Sequence, residues 1–278
     1  MRFSIAIPTL RGTDRIKQLI NSLLLYTPKD ILDNVEIVIS DDKSEYYSVD
    51  ILTEVLANET KEYCQTITDV EVKYIRPDKW QYFAGNWNNA VDNCTNETIM
   101  FLLCDSVITG NDWCIEPLNI AYNLNFKYGV ISLPHIEEKI DIRIPMTQTK
   151  LVEINTSWPR PYMIMRKSIW NAMGRYNIAH QMVENQYSYY CYINNLDMYY
   201  CYAHYPIIHQ HYNSVHNTAI FLPLEIRQSS PQSLDAWKSE WGKSYKECFD
   251  EVDKWITENK SRQQPDLQHL TKGIYGHK

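Results

Sequence analysis

The chain has 278 residues and a formal net charge of −7, with 44% hydrophobic and 22% charged residues. That length can build one large domain or two small ones around an ample core, and the composition excludes a disordered chain. The negative charge offers no general attraction to phosphate backbones or anionic membranes, and no apolar run approaches the length of a membrane span.

"RFSIAIPT" is an apolar run that stops at Pro8 and predicts a buried strand, too short for a signal peptide and followed by charge. In "DRIKQLINSLLLYT", Ile16, Leu19, Ile20, Leu23 and Leu24 have the spacing of an amphipathic helix. "NVEIVISDD" predicts a second buried strand ending on two acids. A helix over "SVDILTEVLANETKEYCQTI" and a strand over "DVEVKYIRP" come next. "NWNNAVDNCT" reads as a short helix, and "ETIMFLLCD" as a strand that runs to Asp105. Alternating strands and helices predict parallel βαβ units in a doubly wound sheet, where ligands bind beyond the carboxyl ends of the strands. Pro8-Thr9, Asp41-Asp42 and Asp105 all fall at such ends.

Beyond Gly110 the alternation weakens. "WCIEPLNIAYNLNFKY" predicts a helix, "YGVISLPHI" a strand and "DIRIPMTQTKLVEI" a hairpin. "RPYMIMRKSIWNAMGRYN" reads as strand, short helix and turn, "QMVENQYSYYCYINNL" as a helix, and "MYYCYAHYPIIHQHYN" as one or two strands. From Pro231 the chain is strongly helical and then polar. The seven cysteines are scattered, odd in number and without a C-x-x-C pair, so free thiols and a cytoplasmic location are expected. The 21 tyrosines against 8 glycines fit an AT-rich genome, a virus or phage among the possible sources.

Several local patterns follow one another in an order that resembles glycosyltransferase family 2, nucleotide-sugar enzymes of the GT-A fold. They are "IAIPTLRGTDRIKQLINSL", "VEIVISDDKS" in place of a strand ending Asp-Asp-Gly-Ser, "NWNNAVDNCTNETIMFLLCDS" leading to an Asp-x-Asp strand, and "YMIMRKSIWNAMGRYN" in place of a segment ending Gly-Gly-Phe-Asp-Glu. Weaker matches are "MVENQYSYY" for a Glu-Asp before a helix and "HYPIIHQHYNS" for a Pro-x-x-His. The resemblance implies an α/β fold, a mostly parallel Rossmann-like sheet flanked by helices. It would occupy residues 1–225, with a nucleotide-sugar half (1–110) and an acceptor half (111–225), before a C-terminal helical extension over 226–278.

The resemblance also implies roles. Pro8, Thr9, Arg11, Asp41, Asp42 and Asp105 would bind the nucleotide-sugar, UDP-linked. Asp41 or Asp42 would accept from a uracil imide or ribose hydroxyls, and Arg11 and Arg15 would contact pyrophosphate. Turn or cap acids and surface ion pairs are the competing readings. Asp105 holds the last place of Asp-x-Asp, with Leu103 where the first acid stands. On a strand both would project to one side, so a ligand is missing from the face that should carry it. A Mn²⁺ or Mg²⁺ ion can accept few protein carboxylates when phosphate and water supply the rest. His209 and His211 alternate and could complete a metal site with Asp105, or simply pack. Glu184 would be the general base of an inverting displacement, unless it is only a first-turn helix acid. Tyr187, Tyr189 and Tyr190 read as packing residues. Trp80, Trp87, Trp158 and Tyr162 could line a sugar platform, with ordinary core or surface packing the better reading of any one of them.

The expected activity is therefore sugar transfer to an acceptor hydroxyl of a glycan, wall polymer, protein or modified nucleobase. A catalytically inactive domain serving binding or assembly is the alternative that the missing acid raises. A metal hydrolase would need a ligand helix such as H-E-x-x-H, which is absent. A dinucleotide enzyme or P-loop protein would need glycine motifs that this glycine-poor chain lacks.

Overall fold

A computed structural model describes residues 2–10, 12–43, 51–111, 113–124, 128–133, 135–137, 152–154, 162–177, 183–201, 207–209 and 230–259. Strands β1 (Phe3–Thr9), β2 (Val35–Asp41), β3 (Glu71–Ile75), β4 (Thr98–Phe101), β6 (Val130–Ser132), β8 (Val152–Ile154), β9 (Met163–Arg166) and β10 (Met198–Cys201) form one eight-stranded sheet. Its order is β3-β2-β1-β4-β9-β6-β10-β8. β9 and β8 run antiparallel to their neighbours; all other pairs are parallel. A second, three-stranded sheet joins β5 (Ser106–Val107), β11 (Ile207–His209) and β7 (His135–Glu137).

The unbroken apolar runs of the central strands follow from burial on both faces. Ile5, Ile7, Ile37, Ile39, Met100 and Ile164 enter one core, and Ala6, Val38, Ile99, Phe101, Met163 and Met165 the other. Successive residues thus alternate between two layers of helices. The first core takes α1 (Thr13–Tyr26), α3 (Ile51–Thr66) and α5 (Ile115–Asn123) through Leu19, Cys64 and Leu118. The short α2 (Lys29–Leu32) leads into β2. The second core takes α4 (Tyr82–Asp92), α6 (Lys167–Met173), α7 (Val183–Ile193), α8 (Pro231–Trp241) and α9 (Tyr245–Asn259). Their buried Trp87, Trp170, Tyr187, Trp237 and Val252 lie in that core. Each such side chain contributes about 1.5–3 kcal/mol by leaving water.

The helical C-terminus breaks into two helices for local reasons. Ser230 caps α8 by accepting from the Ser233 N–H at 3.0 Å, with Pro231 in the first turn. Gly242 ends α8 in the left-handed region at φ 71°. Ser244 and Glu247 then exchange hydrogen bonds as a capping box that starts α9.

Three elements differ from the sequence expectation, the first being the strand read over "YGVISLPHI", which is two strands, β6 and β7, in different sheets. Helix α4 begins at Tyr82, ahead of Asn86, and carries a buried Gly85 in its first turn. Strand β4 stops at Phe101, ahead of Asp105. Its pairing with β1 ends at Ala6↔Phe101, closed by the Leu102 N–H on the Ala6 carbonyl at 3.1 Å.

Candidate active site

The sheet order places a topological switch between β1 and β4, since the chain winds from β1 through β2 to β3 and returns to β4 on the other side. Open α/β sheets bind ligands in the crevice at that point. Pro8 helps to form it. Ala6 bonds toward β4 and Thr9 toward β2, so Pro8, lacking an N–H, faces the side from which β4 has already departed. Its missing donor therefore breaks no ladder. Gly12 follows at the mouth of α1, where a Cβ would collide with the Thr9 hydroxyl.

Beyond Phe101 the chain enters a turn. The Ser106 N–H and hydroxyl both donate to the Leu103 carbonyl, at 3.2 and 2.6 Å. Asp105 is thus a turn residue beyond β4, so the expectation that Leu103 and Asp105 share one face of a strand does not hold. Leu103 packs against both cores, while Asp105 lies 3.8 Å from Arg15 of α1. Cys104, between them, is pushed up to about 12 by burial and the neighbouring Asp105 charge, so it stays a thiol.

At the end of β2, Asp41 accepts from the Tyr74 hydroxyl at 2.8 Å and sits 3.7 Å from Arg76. Tyr74 and Arg76 lie at the end of β3 and just past it, and both were missed in the sequence. Only the "KYIRP" strand end could have pointed to them. Asp42 donates its N–H to the Thr9 carbonyl, and its Oδ1 accepts from the Lys43 and Gln81 N–H groups at 2.8 and 2.9 Å. Burial, with Asp41 beside it, outweighs those bonds and raises its carboxyl to about 7.

Helix α4 fastens these strand ends together. Asn86 donates to the Thr9 carbonyl and accepts from Ser40, and Asn89 donates to Ser40. Asn88 makes a reciprocal pair with the Tyr176 backbone, at 2.8 and 2.9 Å. The asparagine run of this helix is therefore a set of side-chain clamps, a role its composition alone did not reveal. Trp87 and Tyr162 are core residues; Trp80 is buried with its ring centroid 4.3 Å from that of Tyr82. Tyr82 itself has φ 57°, a left-handed conformation costly for an aromatic residue.

Glu184 is in the first turn of α7, which continues into the buried Tyr187 and Tyr189 that the sequence assigned to packing. His209 ends β11, whose register sets it opposite Ser106, the residue after Asp105. The side chains of Glu184 and His209 lie outside the described residues, as do Arg11, His211 and Trp158 altogether. Among the described residues no three His, Cys, Asp or Glu side chains gather as a metal site. Asp105 offers hard carboxylate oxygens but stands against a guanidinium. That donor set fits a divalent ion only as one ligand among phosphates and water. Six cysteines, Cys64, Cys94, Cys104, Cys114, Cys191 and Cys248, are free thiols, as expected. Among the described residues no helix is long and apolar enough to cross a membrane.

The profile of glycosyl transferase family 2 matches residues 4–187. No curated protein matches the sequence. Among solved structures the chain is similar to residues 1–349 of S. aureus TarS in complex with UDP-GlcNAc, with TM-score 0.63 and 14% identity over 99% of this chain and 77% of that one. It is also similar to the mannosyltransferase PcManGT from Pyrobaculum calidifontis in complex with GDP-Man and Mn²⁺, with TM-score 0.56 and 10% identity over 97% and 78%. A third similar structure is GalNAc-T7 with UDP, GalNAc and Mn²⁺, with TM-score 0.55 and 13% identity over 98% and 54%. At such identities the likeness is one of fold, the GT-A fold that the sequence motifs imply.

Proposed function

The chain belongs to glycosyl transferase family 2 and is a glycosyltransferase, and from that premise we propose that it moves a sugar from a UDP-linked donor to an acceptor hydroxyl with inversion. The observation that carries this reading is the meeting of Pro8-Thr9, Asp41-Asp42 and the Asp105 turn around the β1/β4 switch point. The fold likeness to a protein solved with UDP-GlcNAc supports a uridine donor. An inactive binding module is not favoured.

In this reading Asp41, held by Tyr74 and Arg76, presents its carboxylate to the uridine, and Asp42 stiffens the same strand end. Arg11 and Arg15 face the diphosphate. Glu184 takes the acceptor's proton as the acceptor oxygen bonds to the anomeric carbon. The bond from that carbon to the diphosphate breaks, and UDP leaves with the electron pair. Asp105, with His209 or His211 and the phosphates, would hold a Mn²⁺ or Mg²⁺ ion, which when bound offsets the charge growing on the leaving group. The acceptor is a hydroxyl of a glycan, wall polymer, protein or modified nucleobase.

Calorimetry with UDP, GDP and a panel of UDP-sugars, each in Mn²⁺ and in EDTA, is the test. UDP and at least one UDP-sugar are expected to bind more tightly than GDP. Failure of every nucleoside diphosphate to bind at about millimolar concentration, where binding is worth only about 4 kcal/mol, sinks the proposal.

A further inference from the structure

We propose that Glu240, on the C-terminal helix α8, is a positioning residue for transfer, holding both ends of the segment that presents Glu184. The inference rests on the reading of Glu184 as the base. Gln186, 1% exposed, sits just past Glu184 in α7. Its amide clamps the backbone on both sides of Tyr176, donating to the Arg175 carbonyl at 2.9 Å and accepting from the Asn177 N–H at 2.8 Å. Gln186 Nε2 also donates to Glu240 Oε1 at 2.9 Å, and Asn177 Nδ2 donates to Glu240 Oε2 at 2.5 Å. One carboxylate thus fastens two residues nine positions apart in the chain, and Glu184 lies between them.

The other side of this turn is held as well. Asn88 grips the Tyr176 backbone, and Asp92 pairs with Arg175 at 3.2 Å. Gly174 makes the turn possible by closing α6 at φ 87°. Asn88 shares its helix with Asn86 and Asn89, which hold the donor-side strand ends. A continuous line of hydrogen-bonded groups therefore runs from the β1 and β2 ends through α4 and the Tyr176 turn to the start of α7. Glu240 closes that line from outside. Geometry of this kind governs rate, because a displacement of about 1 Å in a reacting group can cost on the order of a hundredfold.

The chemistry requires a carboxylate. Both facing groups are N–H donors, so an amide at position 240 could accept from only one of them and would turn its own N–H₂ against the other. Asn177→Asp fails for the opposite reason, setting two carboxylates together. Combining Asn177→Asp with Glu240→Gln restores one donor and one acceptor on each contact.

The test is this cycle on the full chain. It reads hydrogen exchange of the first turn of α7, UDP affinity, and UDP release from a UDP-sugar that binds in the calorimetric panel. Each single variant is expected to speed exchange there about fivefold or more and to lower kcat about tenfold. UDP affinity should stay within about twofold, and the double variant should recover most of both losses. Wild-type exchange and turnover in the singles, no recovery in a folded double variant, or UDP affinity falling in step with kcat would each overturn the proposal. Glu184→Gln is measured alongside. Full turnover in that variant would sink the base assignment alone, since exchange reports on α7 directly.

Discussion

Strand β2 carries a buried acid at its start, another at its end and a third just past it, and the protein treats the two ends in opposite ways. Glu36, at the start, accepts from the Ser4 hydroxyl at 2.5 Å and the Thr95 N–H at 2.8 Å and forms an ion pair with Lys73. Burial by itself would raise its pKa, but the bonds from Lys73, Ser4 and Thr95 outweigh it and the carboxyl is held below its ordinary value. Asp42, just past the other end, is as deeply buried and has two backbone donors. Arg76, however, stands against Asp41, and the second negative charge adds to the burial. A fully answered carboxylate closes one end of the sheet. At the other end, charge is left imperfectly compensated, as expected where a ligand completes the environment.

If the contrast marks function at one end and structure at the other, the largest effect belongs to chemistry beyond the C-terminal strand ends. Glu184→Gln is expected to lower transfer by about 10²- to 10⁴-fold, the usual range for losing a general base. UDP affinity should change less than about twofold, because the base acts on the acceptor's proton. Parallel loss of affinity and turnover would make Glu184 a structural helix acid.

Asp42 gives the next largest effect, visible as a pH dependence of stability. Its folded pKa, about 7, lies above the ordinary aspartate value of 3.8. Between those values the folded protein retains a proton that the unfolded chain has lost, so this group's contribution to stability declines as pH rises from about 4 to about 7. The accumulated loss is about 4 kcal/mol. Asp42→Asn keeps an oxygen for the Lys43 and Gln81 N–H groups and has no charge to bury. Its melting temperature should match wild type near pH 4 and exceed it by several degrees at pH 9. A constant difference across that range would mean that Asp42 is not the titrating group.

Glu36 supplies the structural control. Glu36→Gln should cost about 3 kcal/mol, since Lys73 loses its closer acidic partner, keeping only Glu71 at 3.6 Å, and the donors around position 36 are poorly answered. The wild-type contribution has the opposite pH sense to Asp42. With a lowered folded pKa it is present above the unfolded value, near 4.5, and disappears as pH falls through the folded one. Urea unfolding measures the cost, and calorimetry should find UDP affinity unchanged within about twofold of wild type. A tenfold loss of affinity would erase the distinction between the two ends.

The sequence made the strands legible because burial on both faces leaves long apolar runs, and it made their carboxyl ends legible because Pro8, Asp41 and Asp42 punctuate them. It misplaced Asp105 for the same reason. "TIMFLLCD" is apolar throughout, yet Leu102 and Leu103 continue as core residues after β4 has lost its partner. Periodicity reports burial and not the end of a ladder. The asparagine clamps of α4 and the Glu240 contacts were not legible, because they depend on which polar atoms meet across long sequence separations, 88 residues for Asn88 and Tyr176. Composition carries no record of such pairings.

A modest effect is expected at Arg15 and Asp105, where the donor end departs from the family pattern. Arg15 and Asp105 lie 3.8 Å apart, with side chains 20% and 15% exposed, so water reaches the pair and its Coulomb energy is about 1 kcal/mol or less. A diphosphate arriving without a metal ion must draw Arg15 away from Asp105 and also approach the Asp105 charge. Asp105→Asn removes both costs. In EDTA this variant should bind UDP several-fold more tightly than wild type, by about 1 kcal/mol at most. The gain should shrink in about 1 M salt, where the Debye length is near 3 Å. In Mn²⁺ the order should reverse, because wild type keeps a carboxylate for an ion shared with the phosphates while the variant does not. Coupling between UDP and Mn²⁺ is reciprocal, so it should vanish from both titrations of the variant together. Arg15→Ala should weaken UDP binding in EDTA while leaving the Mn²⁺ coupling in place. If Asp105→Asn instead weakens UDP binding equally in EDTA and in Mn²⁺, the carboxylate serves the sugar or the ribose directly and takes no part in holding a metal ion.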